Sequence, residues 1–213
     1  MMIKLFGHPF SSYTWKALIP LWEKDIPFEF RQLDEDHQSN GAEFARRSPT
    51  GKFPLLADGE RTIFEATAVI EYLELIHPEP RLIPDGMAGV ETRMFDRFFD
   101  NYVMNAMQHF VEVRLGRADP SETDKGRATL DKSYAWLEAQ LGDQWAIGDA
   151  FTMADCAAAP SLFYSDWVHP IPEGLERLRA YRSRLLARPT VKRAVDEARP
   201  FRHFFPGGAP ERD

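Results

Sequence analysis

The sequence predicts a chain in two parts, a small α/β layer followed by an all-helical domain. Three observations carry this reading. Apolar residues alternate with polar ones only in the first third of the chain. A proline-rich stretch, PEPRLIPDG from Pro78 to Gly86, then interrupts the pattern. Beyond it apolar residues recur at helical spacing and no convincing strand returns.

Ile3 and Leu5 flank Lys4 and open a strand. The stretch GHPFSSYTWK, Gly7 to Lys16, forms a loop into a helix that covers Trp15 to Trp22 and stops near Asp25-Ile26-Pro27. Phe28 and Phe30 alternate with charged neighbours, so PFEFRQL is a second strand. The connection after it carries no clear pattern. PLLADGERTIF contains two strands joined at Asp58-Gly59, a hairpin signal. Glu65 to Ile76 is a helix with Val69, Ile70, Leu73 and Ile76 on one stripe, ended by His77-Pro78.

The helical part shows three stripes. The first holds Phe95, Phe98, Phe99, Tyr102, Val103 and Phe110. The second is Leu130, Tyr134, Leu137 and Leu141, and the third runs from Leu175 to Leu186. The tail from Pro200 to Asp213 mixes aromatics, Pro, Gly and charge, and is expected to be irregular. The expected division is residues 1–80, a linker at 81–88, and a helical domain at 89–213.

Composition narrows function. The net charge of −7 argues against a broad nucleic-acid or anionic-membrane surface. The single cysteine, Cys156, leaves no intrachain disulfide and no cysteine-rich zinc site. The six histidines lack the close spacing of a helical metal site, so no metal is expected. The first residues lack a signal-peptide core, and no apolar run approaches the roughly 20 residues of a membrane span. These features suit a soluble cytoplasmic protein.

Several stretches admit both a structural and a chemical reading. The hydroxyls of Ser11, Ser12, Tyr13 and Thr14 can cap the first helix. Pro54, in SPTGKFPLL, fits an ordinary strand-opening proline, or a cis proline that turns the Phe53 backbone outward for an extended peptide to pair with. Glu65 suits a helix start, or an anchor in which helix N–H groups take a carboxylate and the Glu65 side chain takes an ammonium. Thr152-Met153-Ala154-Asp155 has the form of a capping box, and Cys156 behind it is read as a small core residue.

In their order, the opening loop, GKFP, FEATAVIEYL and FTMAD resemble the landmarks of the cytosolic glutathione S-transferase superfamily. The resemblance spans nearly the whole chain. It implies a thioredoxin-like N-terminal domain, without the C-x-x-C pair of redox members, followed by an all-α C-terminal domain. SSYTW is similar to the S-S-C-x-W loop of the zeta class, whose first serine is catalytic. That serine maps onto Ser11, and Ser12 beside it and Tyr13, in place of the zeta cysteine, are the alternative catalytic hydroxyls for the sulfur.

The resemblance implies that glutathione is the co-substrate and that Lys52, the Phe53 backbone, cis Pro54 and Glu65 bind it. Ala66 stands where the family usually has serine, and Thr67 is the expected substitute for the lost hydroxyl. Phe10, Met104, Asn105 and Gln108 are expected to wall the electrophile pocket, with His203 or Phe204 as lids. The implied activity is conjugation of glutathione to a small hydrophobic electrophile in detoxification, by a homodimer. The alternatives are peroxidase, isomerase or dehalogenase chemistry at the same site, or a non-catalytic binding or scaffold module.

Overall fold

The computed structural model describes residues 2–213. The N-terminal layer runs β1 (Ile3–Gly7), α1 (Ser12–Glu23), β2 (Phe28–Gln32), α2 (Gln38–Arg47), β3 (Leu55–Asp58), β4 (Arg61–Phe64) and α3 (Ala66–Ile76). The sheet order is β2-β1-β3-β4. β1 and β2 are parallel, while β3 is antiparallel to β1 and β4 to β3. This is the thioredoxin-like arrangement.

Alternation sorts side chains between the two faces of the sheet. Leu5 and Leu56 pack with Leu18 and Leu21 of α1 and Val69 and Leu73 of α3. Phe6, Leu55 and Ala57 pack on the other face with Phe44 of α2. α2 occupies the connection that carried no sequence pattern. Only Asn40 and Phe44 of its ten residues are buried, so it has no apolar stripe to read.

The helical part comprises α4 (Gly86–Phe98), a π-helical segment (Phe99–Met104), α5 (Asn105–Arg114), α6 (Glu122–Gln140), α7 (Met153–Val168), α8 (Glu176–Ala187), α9 (Pro189–Ala198) and a 3-10 turn (Arg199–Phe204). α4, the π segment and α5 follow one another without a break. α4 begins inside the stretch read as linker, behind an extended Asp85. The tail read as irregular opens with the 3-10 turn, started by Pro200 at its second position.

α7 is the spine, buried from Met153 through Trp167. Its capping box is formed by Thr152 and Asp155. Asp155 also accepts from the Tyr181 hydroxyl at 2.6 Å and from the Ala146 N–H at 2.9 Å. Cys156 is fully buried, and desolvation pushes its thiol well above the ordinary value. It is a core residue and an unreactive one.

The two parts share one interface. Trp15 and Ile19 of α1 and Ile70 of α3 join the core of the helical part. The Trp15 ring lies 4.9 Å from Phe163 and 5.4 Å from Tyr164. Beside it Lys16 is 1% exposed, although the apolar run around it gave no hint of a partner. Its Nζ lies 2.7 Å from Asp96, 2.6 Å from Asp100 and 2.8 Å from the Thr67 hydroxyl. Thr67 in turn donates to Asp96 at 2.9 Å. One ammonium therefore ties α1 to α3, α4 and the π segment.

Lys16→Met would strip Asp96 and Asp100 of the buried ammonium they share and leave only the exposed Arg97, 3.8 Å from Asp96, as a countercharge. It is expected to lower the unfolding free energy by about 3–5 kcal/mol at pH 7. The measurement is the urea midpoint at constant slope. A loss below about 1 kcal/mol, the size of a surface pair, would contradict the burial of this network.

Candidate active site

The site starts at the loop between β1 and α1. Gly7 ends the strand where a Cβ would meet the Thr14 hydroxyl at 2.6 Å, so no larger residue fits. The Thr14 hydroxyl instead accepts from the His8 N–H at 3.3 Å. Ser11 is the N-cap of α1, and its Oγ accepts from the Thr14 N–H at 3.3 Å. A hydroxyl that accepts one bond keeps its own proton to donate. The loop is held from both sides, with Trp15 Nε1 donating to Pro9 O at 2.6 Å and the Tyr164 hydroxyl to Phe10 O at 2.8 Å.

The second loop precedes β3. The Phe53–Pro54 peptide bond is cis, and Phe53 is exposed. Among the described residues neither its N–H nor its C=O has a hydrogen-bond partner. This main chain is open to an extended peptide. The third part is the start of α3. Glu65 is its N-cap residue, exposed, with φ at 70° and no capping bond from its side chain. A non-glycine residue held there costs of order 1–3 kcal/mol, and such strain gathers at ligand sites. The N–H groups of Ala66, Thr67 and Ala68 form the partnerless first turn of α3.

Two cavities meet at Phe53. A slot of about 190 Å³ is lined by Tyr13, Lys52, Phe53, Pro54, Glu65 and Ala66, with Thr50 and Phe64. A larger chamber of about 680 Å³ is lined by Phe10, Ser11 and Phe53, by residues of the loop after β2, and by Phe201, His203 and Phe204 of the tail. Tyr13 belongs to the slot and Ser11 to the chamber. Burial, with the nearby charges of Asp100, Glu65 and Asp96, pushes the Tyr13 phenol up to about 12. It therefore stays a protonated donor at neutral pH.

The expected residues are thus sorted. Ser11, Phe10 and Phe53 line the chamber, and Tyr13, Lys52, Phe53, Pro54, Glu65 and Ala66 line the slot. Ser12 lines neither. Thr67 does not replace the missing hydroxyl, because its own is buried between Lys16 and Asp96.

Met104, Asn105 and Gln108 also lie outside both cavities. Met104 is buried in the helical core, and Asn105 and Gln108 face solvent. The π segment adds a residue to its turn and rotates everything beyond by about 100° relative to an unbroken helix. The chamber instead uses His8, Asp34, Glu35 and Asp36, which the sequence did not single out. A readable signal existed. β1 and β2 are parallel, so the loops leaving their C-terminal ends lie side by side. Among the described residues no group of three or more His, Cys, Asp or Glu could hold a metal ion, and no helix is long and apolar enough to cross a membrane.

Comparison with known proteins places this geometry in a family. Residues 5–81 match the glutathione S-transferase N-terminal domain and residues 120–184 the glutathione S-transferase C-terminal domain. Glutathione S-transferase F6 of Arabidopsis thaliana is 30% identical over 175 residues, covering 76% of this chain and 83% of that protein. A probable maleylacetoacetate isomerase of Vibrio cholerae is 28% identical over 211 residues, covering 94% and 98%. A glutathione S-transferase of Methylobacterium radiotolerans, solved in complex with glutathione sulfonate, superposes with a TM-score of 0.77 at 25% identity, covering 92% of this chain and 95% of that one. The chain belongs to the cytosolic glutathione S-transferase superfamily, whose members use glutathione as a substrate.

The environment of Tyr13 is directly measurable. The difference in tyrosinate absorbance between wild type and Tyr13→Phe is expected to show no phenolate from Tyr13 below about pH 11. A step near the ordinary value of about 10 would contradict the buried, anion-flanked position.

Proposed function

We propose that this protein is a glutathione transferase that adds the glutathione thiolate to a small hydrophobic electrophile. The observation that carries it is the position of Phe53, in the lining of both a slot that carries Lys52 and Glu65 and an aromatic chamber that contains Ser11. Glutathione carries an ammonium and a carboxylate at its γ-glutamyl end and a second carboxylate at its glycyl end. Glu65 and the first turn of α3 suit the former and Lys52 the latter. The cysteinyl unit then pairs with the Phe53 main chain and points its sulfur across to Ser11.

The chemistry follows from charge. A free cysteine thiol titrates near 8.5, so at pH 7 little is thiolate. Lowering that value by about two units takes roughly 2.7 kcal/mol. A hydrogen bond to a charged group contributes about 1.5–3 kcal/mol. The N-terminus of α1 adds about 0.3–1 kcal/mol. One Ser11 hydroxyl at the cap of α1 is therefore sufficient. The thiol proton leaves to solvent. The sulfur lone pair forms the C–S bond, and the leaving group departs with its electron pair.

Ser11→Ala removes the donor and leaves the slot intact. Turnover near pH 7 is expected to fall by one to two orders of magnitude, about 1.4–2.7 kcal/mol, with little change in KM for glutathione. An equal loss from Tyr13→Phe and none from Ser11→Ala would reassign the donor. No turnover by wild type against a panel of electrophiles and hydroperoxides would favour the binding-module reading instead.

We also propose a homodimer. Met87, Val90 and Met94 form an exposed apolar stripe on α4, 70%, 58% and 49% accessible, with Leu75 of α3 exposed as well. Sedimentation is expected to show about twice the 24.5 kDa chain mass at micromolar concentration. The paired substitution Val90→Asp and Met94→Asp is expected to return it to the chain mass.

A further inference from the structure

The chamber beside Ser11 is lopsided in charge. Phe10, Phe53, Phe201 and Phe204 supply its aromatic walls. The Phe201 and Phe204 rings are within 10° of parallel, and the His8 ring meets them edge-on at 4.8 Å and 5.7 Å. Across from the tail, the loop after β2 lines the same space with Asp34, Glu35 and Asp36.

Among the described residues no lysine or arginine lines it. The nearby guanidinium groups are engaged elsewhere. Arg199 and Arg202 pair with Asp213, Arg212 pairs with Asp166, and Arg114 lies over the Phe205 ring.

The carboxylates of the lining are Asp34, Glu35 and Asp36, and its two imidazoles are His8 and His203. Partial burial pushes Asp34 upward, yet hydrogen bonds from His37 and Gln32 hold it below the ordinary carboxylate range. Glu35 and Asp36 are exposed. His8 does not offset them, since burial lowers its pKa against the opposing pull of Asp34. Its Nδ1 accepts from the Phe10 N–H at 3.2 Å, which leaves Nε2 as the protonated nitrogen of a neutral ring.

Aromatic faces attract cations through their quadrupoles, and carboxylates at the rim of an apolar cavity act in the same sense. A dicarboxylate entering this space meets three like charges and no fixed countercharge.

We propose that the chamber selects its second substrate by charge, accepting neutral and, preferentially, cationic aromatic electrophiles and rejecting dicarboxylates. This rests on the reading of the chamber as the electrophile site. It also separates this chain from maleylacetoacetate chemistry, despite the similarity to the Vibrio cholerae protein, because that substrate is a dianion. The carboxylates set the sign of the selection, while the aromatic walls make the site.

The test needs no turnover. The full-length protein is loaded with Nile red, a neutral apolar dye. The dye is then displaced by three inert ligands that share one ring, benzyltrimethylammonium, benzyl alcohol and phenylsuccinate. At low salt the ammonium is expected to displace the dye at a concentration at least about tenfold below that of the dianion, with the alcohol between them.

In the double variant Glu35→Gln, Asp36→Asn, whose side chains lie on an exposed loop, the ratio is expected to shrink to about threefold or less. Asp34→Asn should shrink it further. High salt should weaken the preference in wild type. Displacement by the dianion at or below the concentration of the ammonium would overturn the proposal. So would a failure of the dye to bind, because the chamber would then not be an apolar site. A protein that keeps the charge order but shows no glutathione turnover would overturn the transferase reading and leave the charge selection standing.

Discussion

The site depends on one buried ammonium. Lys16 extends from α1 across the domain interface and ends among Asp96, Asp100 and Thr67. Three separate pieces of chain are fixed by that contact. α1 carries Ser11 at its cap, and α3 carries Glu65 at its start. The α4–π junction carries the carboxylates that hold both. A charge cannot be buried alone, because desolvation of even one ion costs several kcal/mol. Each partner is therefore needed where it is, and the two helix starts are placed relative to each other as a consequence. Burial pushes the Asp100 carboxyl up, against the opposing pull of Lys16.

The second constraint is topological. Because β1 and β2 run parallel, the turn before α1 and the loop before α2 leave the sheet at the same end. The cis peptide at Pro54 and the strained backbone at Glu65 lie at the ends of β3 and β4, so a peptide can run from α3 along Phe53 toward α1. The tail closes the far side with Phe201 and Phe204. On the proposed reading binding and chemistry are thereby divided, with main chain and helix ends for the common thiol substrate and loop and tail side chains for the variable one. Such a division lets one fold serve many electrophiles by changing the second group alone.

The sheet and α3 were legible because their signals are local. Alternation around Lys4 and Phe28, the Asp58-Gly59 turn and the stripe from Val69 to Ile76 each lie within a dozen residues. α2 was not legible, since it buries only Asn40 and Phe44 and its polar surface resembles a loop. Lys16 was overlooked for the opposite reason. Its neighbours describe a buried helix, but its partners lie at Thr67, Asp96 and Asp100, between 51 and 84 positions away. The slot residues Lys52, Phe53 and Glu65 sit in short motifs and were readable. The chamber walls were not, because loops from the start of the chain, the end of β2 and the tail meet there only after folding. Thr67 shows how a sound motif argument fails, since its hydroxyl was free in the sequence and is taken in the fold.

The central claim is that this corner of the molecule turns glutathione into a thiolate at neutral pH. The most direct measurement is the pH titration of thiolate ultraviolet absorbance for glutathione bound at saturation to the wild-type protein. The expected midpoint is about 6.5, roughly two units below the free thiol near 8.5. A bound thiol that still titrates near 8.5 would contradict the claim, because the Ser11 hydroxyl and the α1 N-terminus would then be holding the fold and not the sulfur.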